Sequence, residues 1–137
     1  MVISKEWQGT LTNVRFNQLL LAWQPEENCI VGQYFATGPI SKYQYWKIVR
    51  QDSGWEVTVQ NTGSGLYIRL EDNRLTCGDE PSIFYAIEDT DGLVGFQVPN
   101  GPTWDLETGE PGSEVTLVLN GGDFTDDQKW TPISVSD

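Results

Sequence analysis

The sequence predicts an all-β fold of twelve strands in three similar lobes. Short runs of β-branched and aromatic residues alternate with clusters of Gly, Pro, Asn and Asp, and helical periodicity is hard to find. An aromatic residue recurs at intervals of about forty residues, at Trp46, Tyr85 and Trp130. This spacing indicates repeated units. Because no unit of four strands can bury its own apolar face, the three units must share one core.

The strands follow one another between turn-forming pairs such as Gln24-Pro25, Asp91-Gly92 and Asn120-Gly121. The first lobe, residues 9–50, is predicted to contain strands Gly9–Arg15, Leu19–Trp23, Ile30–Ala36 and Tyr45–Arg50. The second lobe, residues 54–89, is predicted to contain Trp55–Gln60, Leu66–Leu70, Arg74–Thr76 and Ile83–Ile87. The third, residues 93–135, is predicted to contain Val94–Val98, Thr103–Leu106, Val115–Leu119 and Lys129–Ser134. Each lobe also opens with a strand that ends in Asn, at Asn13, Asn61 and Asn100. We expect one domain over residues 1–137.

The charge of the chain excludes two classes of partner. With 8 Lys and Arg against 20 Asp and Glu, the net charge is -12. Such a chain is repelled by nucleic-acid backbones and by anionic membranes. No run approaches the ~18 apolar residues of a membrane span, so we expect no membrane insertion. Residues Met1–Gln8 show no apolar signal-peptide core. We therefore expect a cytoplasmic protein, or one secreted by an unconventional route.

Composition also argues against catalysis. The chain has no His, which removes the commonest general base and the commonest transition-metal ligand. The acidic run Glu88–Gly92 lacks the further acidic ligands of a calcium loop and is interpreted as a solvated turn. We expect no enzyme activity, no catalytic residue, no metal and no cofactor. Cys29 and Cys77 are expected to be buried free thiols, although a single disulfide between them stays open.

Two motifs carry a family resemblance. The segments Gln44-x-Trp46 and Gln128-x-Trp130 resemble the Gln-x-Trp signature of β-trefoil proteins with a ricin-B-like repeat. The third lobe is similar over Trp104-Asp105-Leu106 and over Asn120-Gly121-Gly122-Asp123. The chain as a whole is similar to small fungal, mainly mushroom, lectins of this type, and more distantly to mushroom β-trefoil protease inhibitors. The resemblance implies a β-trefoil whose outward turns recognise a partner.

Sugar binding requires particular side chains. A carboxylate can accept from two neighbouring hydroxyls, an amide can donate and accept, and an aromatic ring can lie against the C–H face of a pyranose. The resemblance assigns the carboxylate to Asp105 and the amide to the Gln-x-Trp turn, where Gln128 is kept and Asp127 replaces the usual Asn. No aromatic occupies Thr116–Leu119, so a platform would come from Trp104 or Phe124. The predicted carbohydrate-binding residues are Asp105, Trp104, Asn120, Asp127 and Gln128.

The other lobes lack this carboxylate. Arg69 stands at the Asp105 position in the second lobe, and Leu21 or Ala22 in the first. A site displaced into the loop Trp23–Asn28 is a further option. For Asp105 itself, a turn-capping role is the alternative to ligand binding.

Two functions follow from the resemblance. The first is a lectin for galactose-type or N-acetylgalactosamine-type glycans and glycoproteins, acting in fungal defence and compatible with a homodimer. The second is a protease inhibitor acting through exposed loops at Asn13–Gln18, Pro39–Tyr43 and Asp72–Arg74. In that case Arg15, Lys42 or Arg74 would enter a trypsin-like pocket. A β-trefoil that only binds a protein partner is a third option.

Overall fold

The computed structural model describes residues 3–51 and 54–135, and it places thirteen strands in one sheet. The first four strands are β1 (Glu6–Asn13), β2 (Leu19–Gln24), β3 (Cys29–Tyr34) and β4 (Trp46–Arg50). The next four are β5 (Glu56–Asn61), β6 (Tyr67–Glu71), β7 (Arg74–Gly78) and β8 (Phe84–Glu88). The last five are β9 (Val94–Gln97), β10 (Thr103–Asp105), β11 (Ser113–Glu114), β12 (Thr116–Val118) and β13 (Trp130–Ser134). The all-β prediction is confirmed.

The strand count differs from the prediction at one place. The predicted strand Val115–Leu119 is replaced by two shorter strands that meet at Val115. β11 pairs with β3 of the first lobe, whereas β12 pairs with β10 of its own lobe. Val115 is buried between them, and its backbone N–H donates to the carbonyl of Ile30 at 2.8 Å. The strand is divided because it changes partner there.

Two short 3-10 helices that were not predicted precede the two Gln-x-Trp tryptophans. They cover Pro39–Gln44 and Asp126–Gln128. The second is preceded by a capping box, in which Thr125 and Gln128 each bond the other's backbone. Each helix therefore delivers its Gln side chain to a fixed position just before the strand that follows. Among the described residues, no helix is long and apolar enough to cross a membrane.

Six strands form a closed ring. β1 pairs with β4, β4 with β5, β5 with β8, β8 with β9, β9 with β13, and β13 again with β1, all antiparallel. Such closure leaves no free edge within the barrel. The remaining strands form hairpins against the barrel: β2 with β3, β6 with β7, and β10 with β12.

One large aromatic from each lobe fills the barrel at a related position. Trp46, Phe84 and Trp130 begin β4, β8 and β13 and are fully buried. In the strand pairing, Trp46 lies opposite Gly9, Phe84 lies opposite Val57, and Trp130 lies opposite Val94. These three partners occupy equivalent positions near the start of each lobe. The prediction that Tyr85 takes the second-lobe position is wrong. Tyr85 is the next residue along β8 and therefore points to the other face of the sheet, where it is half-buried.

Two buried asparagines tie the lobes together at the ends of β1 and β5. Asn13 Nδ2 donates to the backbone oxygen of Asp127 at 3.2 Å, and Asn61 Nδ2 donates to that of Tyr43 at 2.9 Å. In each case the acceptor lies three residues before a Gln-x-Trp tryptophan. Their Oδ1 atoms accept from backbone N–H groups of the following turns. The side chain thus fixes both the turn and the neighbouring strand.

The third lobe has lost this asparagine. Counting from Val94, as from Gly9 and Val57, the equivalent position is Val98. The predicted third member, Asn100, is instead exposed and has a φ of 59°. It occupies a left-handed turn position, which Asn tolerates better than most residues. The prediction that Asn100 repeats Asn13 and Asn61 is therefore wrong.

Both cysteines are free and buried, which confirms the expectation of two thiols. Burial raises the pKa of the Cys77 thiol to about 12, so it stays protonated at neutral pH. The backbone of Cys77 exchanges two hydrogen bonds with the Asn28 side chain. This contact joins the hairpin of the first lobe to that of the second.

We expect Asn61→Ala to lower the free energy of unfolding by about 2 kcal/mol, because it leaves partly buried backbone groups without partners. Asn100→Gly is the control and should change it by less than about 0.5 kcal/mol, since Gly accepts the left-handed conformation. Urea unfolding followed by Trp fluorescence measures both. Equal effects of the two substitutions would contradict this assignment of the repeat.

Candidate functional site

Three of the five predicted site residues form one hydrogen-bonded chain. Asp105 ends β10, Gln128 ends the second 3-10 helix, and Asn120 follows β12. Gln128 Nε2 donates to Asp105 Oδ2 at 2.9 Å, and Asn120 Nδ2 donates to Gln128 Oε1 at 2.6 Å. The backbone N–H of Thr125 donates to the same Gln128 oxygen at 3.1 Å. The Gln-x-Trp glutamine therefore links the strand carboxylate to the loop.

Most polar atoms of these three hydrogen-bonded side chains already have hydrogen-bond partners within the protein. Asn120 Nδ2 also donates to the backbone oxygen of Asp123, and Asn120 Oδ1 accepts from the N–H of Gly122. Asp105 Oδ1 differs. It is buried and has no hydrogen-bond partner among the described residues. A buried acceptor without a partner costs about 1–3 kcal/mol. This oxygen is therefore the atom of the site that still lacks a hydrogen-bond donor.

Burial also sets the ionisation of Asp105, which is only 5% exposed. Burial raises the pKa of its carboxyl group above the usual range, the hydrogen bond from Gln128 lowers it, and the carboxylates of Asp127 and Glu107 raise it again. The net shift is upward. The protein therefore keeps a partly unsatisfied carboxylate in a place that disfavours its charge.

Asp127 lies beside this chain but bonds elsewhere. Its Oδ2 pairs with Arg15 Nη1 at 3.4 Å, and its Oδ1 accepts from the Thr125 hydroxyl. Its backbone oxygen accepts from Asn13 and from the N–H of Leu106. The Asp127 side chain ties the third lobe to the first, and within the described residues it forms no hydrogen bond to the side chain of Asp105 or Gln128.

Trp104 cannot serve as an aromatic platform, and that prediction is wrong. Its side chain is fully buried, stacked on Phe96 with ring centroids 4.5 Å apart and edge-on to Phe84 at 5.0 Å. Because successive residues of a strand face opposite sides, the residue beside Asp105 must point into the core. At the end of the segment where an aromatic was sought, Leu119 is 82% exposed.

Strand pairing identifies the related positions in the other lobes. The pairs Thr12–Leu20, Gln60–Tyr67 and Gln97–Thr103 are equivalent, so Asp105 corresponds to Ala22 and Arg69. This decides between Leu21 and Ala22 for the first lobe and agrees with Arg69 for the second. Neither lobe supplies a carboxylate at this point.

The first lobe has an open cavity of about 230 Å³ beside Ala22. Trp23 and Tyr43 line it and meet edge to face, with ring centroids 5.1 Å apart. Trp23 Nε1 donates to Asn28 Oδ1 at 2.9 Å, which holds the indole in place. Gln44 is the counterpart of Gln128, but its amide bonds the backbone of Tyr34 and Ala36. This cavity lies next to the loop that the sequence offered as a displaced site.

A larger cavity of about 700 Å³ lies between the second and third lobes. It is lined by the turn between β8 and β9 and by the loop 120–124, so Asn120 contributes to it whereas Asp105 does not. No local sequence pattern indicates this cavity, because its two walls are some thirty residues apart in the chain. The one residue of its lining that could have drawn attention to it is Phe124, an aromatic that the sequence suggested only as an alternative sugar platform.

The basic residues proposed for protease inhibition are all engaged within the protein. Arg74 forms two hydrogen bonds to Glu114, at 2.9 and 3.1 Å, and Arg15 pairs with Asp127. The Lys42 ammonium lies 5.2 Å from the centre of the Tyr43 ring. None of the three projects unpartnered from its loop.

The fold places the chain among known structures. It is similar to the Macrolepiota procera ricin B-like lectin in complex with lactose, with a TM-score of 0.79 and 22% identity over 96% of this chain and 97% of that one. It is similar to the Rhizoctonia solani agglutinin, with a TM-score of 0.76 and 21% identity over 94% of this chain and 95% of that one. For the Polyporus squamosus lectin bound to the epitope Neu5Acα2-6Galβ1-4GlcNAc, the TM-score is 0.73 with 17% identity, over 93% of this chain and 49% of that one.

No protein-family model and no curated protein matches the sequence. These three structural neighbours are fungal lectins, as the resemblance implied, whereas other matches are a designed 3-fold symmetric protein, an endo-β-galactosidase and several toxins. The chain has the β-trefoil fold. At these identities the likeness establishes architecture, and binding has to be argued from the residues.

We expect Asp105→Asn to raise the free energy of unfolding at pH 7 by about 1 kcal/mol, because the amide keeps the acceptor for Gln128 and removes a buried charge. The folded-state pKa of Asp105 is raised, so its ionisation destabilises the native protein above that pKa and ceases to do so as the pH falls. The advantage of the variant should shrink on acidification and disappear below about pH 4. Urea unfolding of both proteins from pH 3 to pH 8 measures it; an advantage that grew on acidification would contradict this view of Asp105.

Proposed function

We propose that the protein is a non-catalytic lectin that binds galactose-type or N-acetylgalactosamine-type glycans through Asp105. The observation that carries this proposal is the unpartnered Oδ1 atom of that buried carboxylate. It occupies the position to which the ricin-B-like resemblance assigns the sugar-binding carboxylate. Gln128 holds the other oxygen, so the free one has a fixed direction.

The chemistry of this atom suits a sugar hydroxyl. Asp105 Oδ1 is buried, so a sugar hydroxyl reaches it only when the residues that cover it move aside; once there, it displaces no existing hydrogen bond of this oxygen within the described residues. It also supplies the charge-assisted bond that burial otherwise denies the carboxylate. The neighbouring amide of Asn120 is the group best placed to bond a second hydroxyl, provided that it exchanges its present bond to Gln128.

The structural neighbours support the choice of sugar. One was crystallised with lactose and another with a sialylated Galβ1-4GlcNAc epitope, and both ligands contain galactose. The first-lobe cavity, with Trp23 and Tyr43 on its walls, offers aromatic surface for a second contact with the same glycan or glycoprotein. With so few contacts per site we expect affinities of about 1 mM to 1 µM, raised by multivalency or by a homodimer.

We also propose that the protein acts in the defence of a fungus and is located in the cytoplasm. Both rest on the resemblance to small fungal lectins. The alternative, protease inhibition, has less support, because Arg15, Lys42 and Arg74 each have a partner within the protein. Incubation with trypsin, papain and an asparaginyl protease would test it directly.

We expect the protein to bind galactose-terminated glycans on an array and Asp105→Asn to weaken that binding at least tenfold, because an amide cannot match a carboxylate as an acceptor. Asp79→Asn removes the same charge from an exposed turn and should leave binding unchanged. Thermal unfolding of all three proteins shows whether the loss is one of binding or of folding. Full binding by the Asp105 variant, or silence of the parent across a broad array, would refute the proposal.

A further inference from the structure

The cavity between the second and third lobes has the size and mixed lining of a small-molecule site. Its volume of about 700 Å³ falls within the range of about 300–1,000 Å³ typical of ligand pockets. One wall is the turn between β8 and β9, with Asp89 and Asp91, and the other is the loop that carries Asn120 and Phe124. Asp105 does not line it, although Asn120, the second group proposed for the Asp105 site, lies on its wall.

The ring of Phe124 is held in this cavity by its contact with the backbone at Gly95. Its ring lies directly against Gly95 of β9, so that a Cβ atom at that glycine would stand 1.9 Å from a ring carbon. No other residue type therefore fits at position 95 while the ring stays where it is. The strand contacts the ring at its Cδ2 and Cε2 atoms, and the ring lines the cavity. A flat aromatic group fixed in this way can lie against the C–H face of a pyranose.

The polar groups around the ring include open acceptors. The carboxylates of Asp91 and Asp123 have no ion-pair or hydrogen-bond partner within residues 3–51 and 54–135. Gln97 uses its Nε2 to bond the carbonyl of Gly101, which leaves its Oε1 open. Asp89 is already occupied, because it pairs with Lys129 at 3.2 Å and caps its own turn.

The charge of the lining selects among sugars. Of the four carboxylates in the lining, Glu88 pairs with Arg50 and Asp89 pairs with Lys129. The carboxylates of Asp91 and Asp123 are left without a compensating charge within the described residues. Open carboxylates accept from hydroxyls and attract a protonated amine, but they repel a second carboxylate. An anionic ligand is therefore disfavoured.

We propose that this cavity is a second saccharide site, distinct from Asp105, that takes a pyranose free of negative charge and prefers one bearing a protonated amine. The inference rests on the proposed glycan-binding function for its ligand class. It adds a location in the interlobe cavity, an aromatic platform in Phe124, and a charge selectivity set by Asp91 and Asp123.

Three sugars of one ring type and different charge test the proposal: galactosamine, methyl β-galactoside and galacturonate. Each is titrated into the ¹⁵N-labelled full chain, and amide shifts are followed at Gly95 and Gly122 for the cavity and at Leu106 for the Asp105 site. We expect the cavity amides to titrate most tightly with galactosamine, less tightly with methyl galactoside, and at least tenfold more weakly with galacturonate. Salt should weaken the galactosamine response more than the methyl galactoside response.

Two variants separate binding from folding. Phe124→Ala should weaken the cavity response at least tenfold with Leu106 unaffected. If that protein folds poorly, the double variant Asp91→Asn and Asp123→Asn, which alters only exposed side chains, should abolish the discrimination against galacturonate. A purely structural role for these carboxylates would leave that discrimination in place.

The outcomes distinguish this proposal from the previous one. Shifts confined to Leu106, or galacturonate binding in the cavity as tightly as galactosamine, overturn the second site and leave the lectin proposal standing. Shifts confined to Gly95 and Gly122 establish the second site and remove Asp105 as the binding residue. No shift at either place with any of the sugars overturns both.

Discussion

The burial of one apolar core shared by three lobes is the constraint on which the structure depends. Trp46, Phe84 and Trp130 enter the barrel from related positions and are fully buried, yet each belongs to a different lobe. None of the lobes could bury its aromatic residue alone, so the chain folds as a unit. Recognition is therefore confined to the turns and hairpins outside this core, which can vary as long as the barrel residues remain.

The fold was predictable from the sequence because strand runs and turn clusters alternate so regularly. The register of the strands, which decides the residues that face the core, was harder to predict. Ile83, Phe84 and Tyr85 are consecutive large apolar residues, and a period of two cannot say which one faces the core. The family resemblance named Asp105 and Gln128 as site residues, although it did not show that they bond each other or that Trp104 beside Asp105 was core. The interlobe cavity depends on tertiary contact between distant segments, and no local pattern encodes such contact.

Asp105 shows a conflict between stability and binding. Gln128 and Asn120 anchor the third lobe through the same hydrogen bonds that orient the carboxylate. The atom left over, Asp105 Oδ1, destabilises the unliganded protein because it is buried without a partner. An apolar residue would avoid this cost, whereas the carboxylate suits the ligand proposed above.

The pairing of β1 with β13 carries a consequence for biosynthesis. β1 is synthesised before the other strands of this fold, but five of its residue pairs are with β13. The barrel cannot close until β13 has left the ribosome, and until then this edge of β1 is open to other nascent chains.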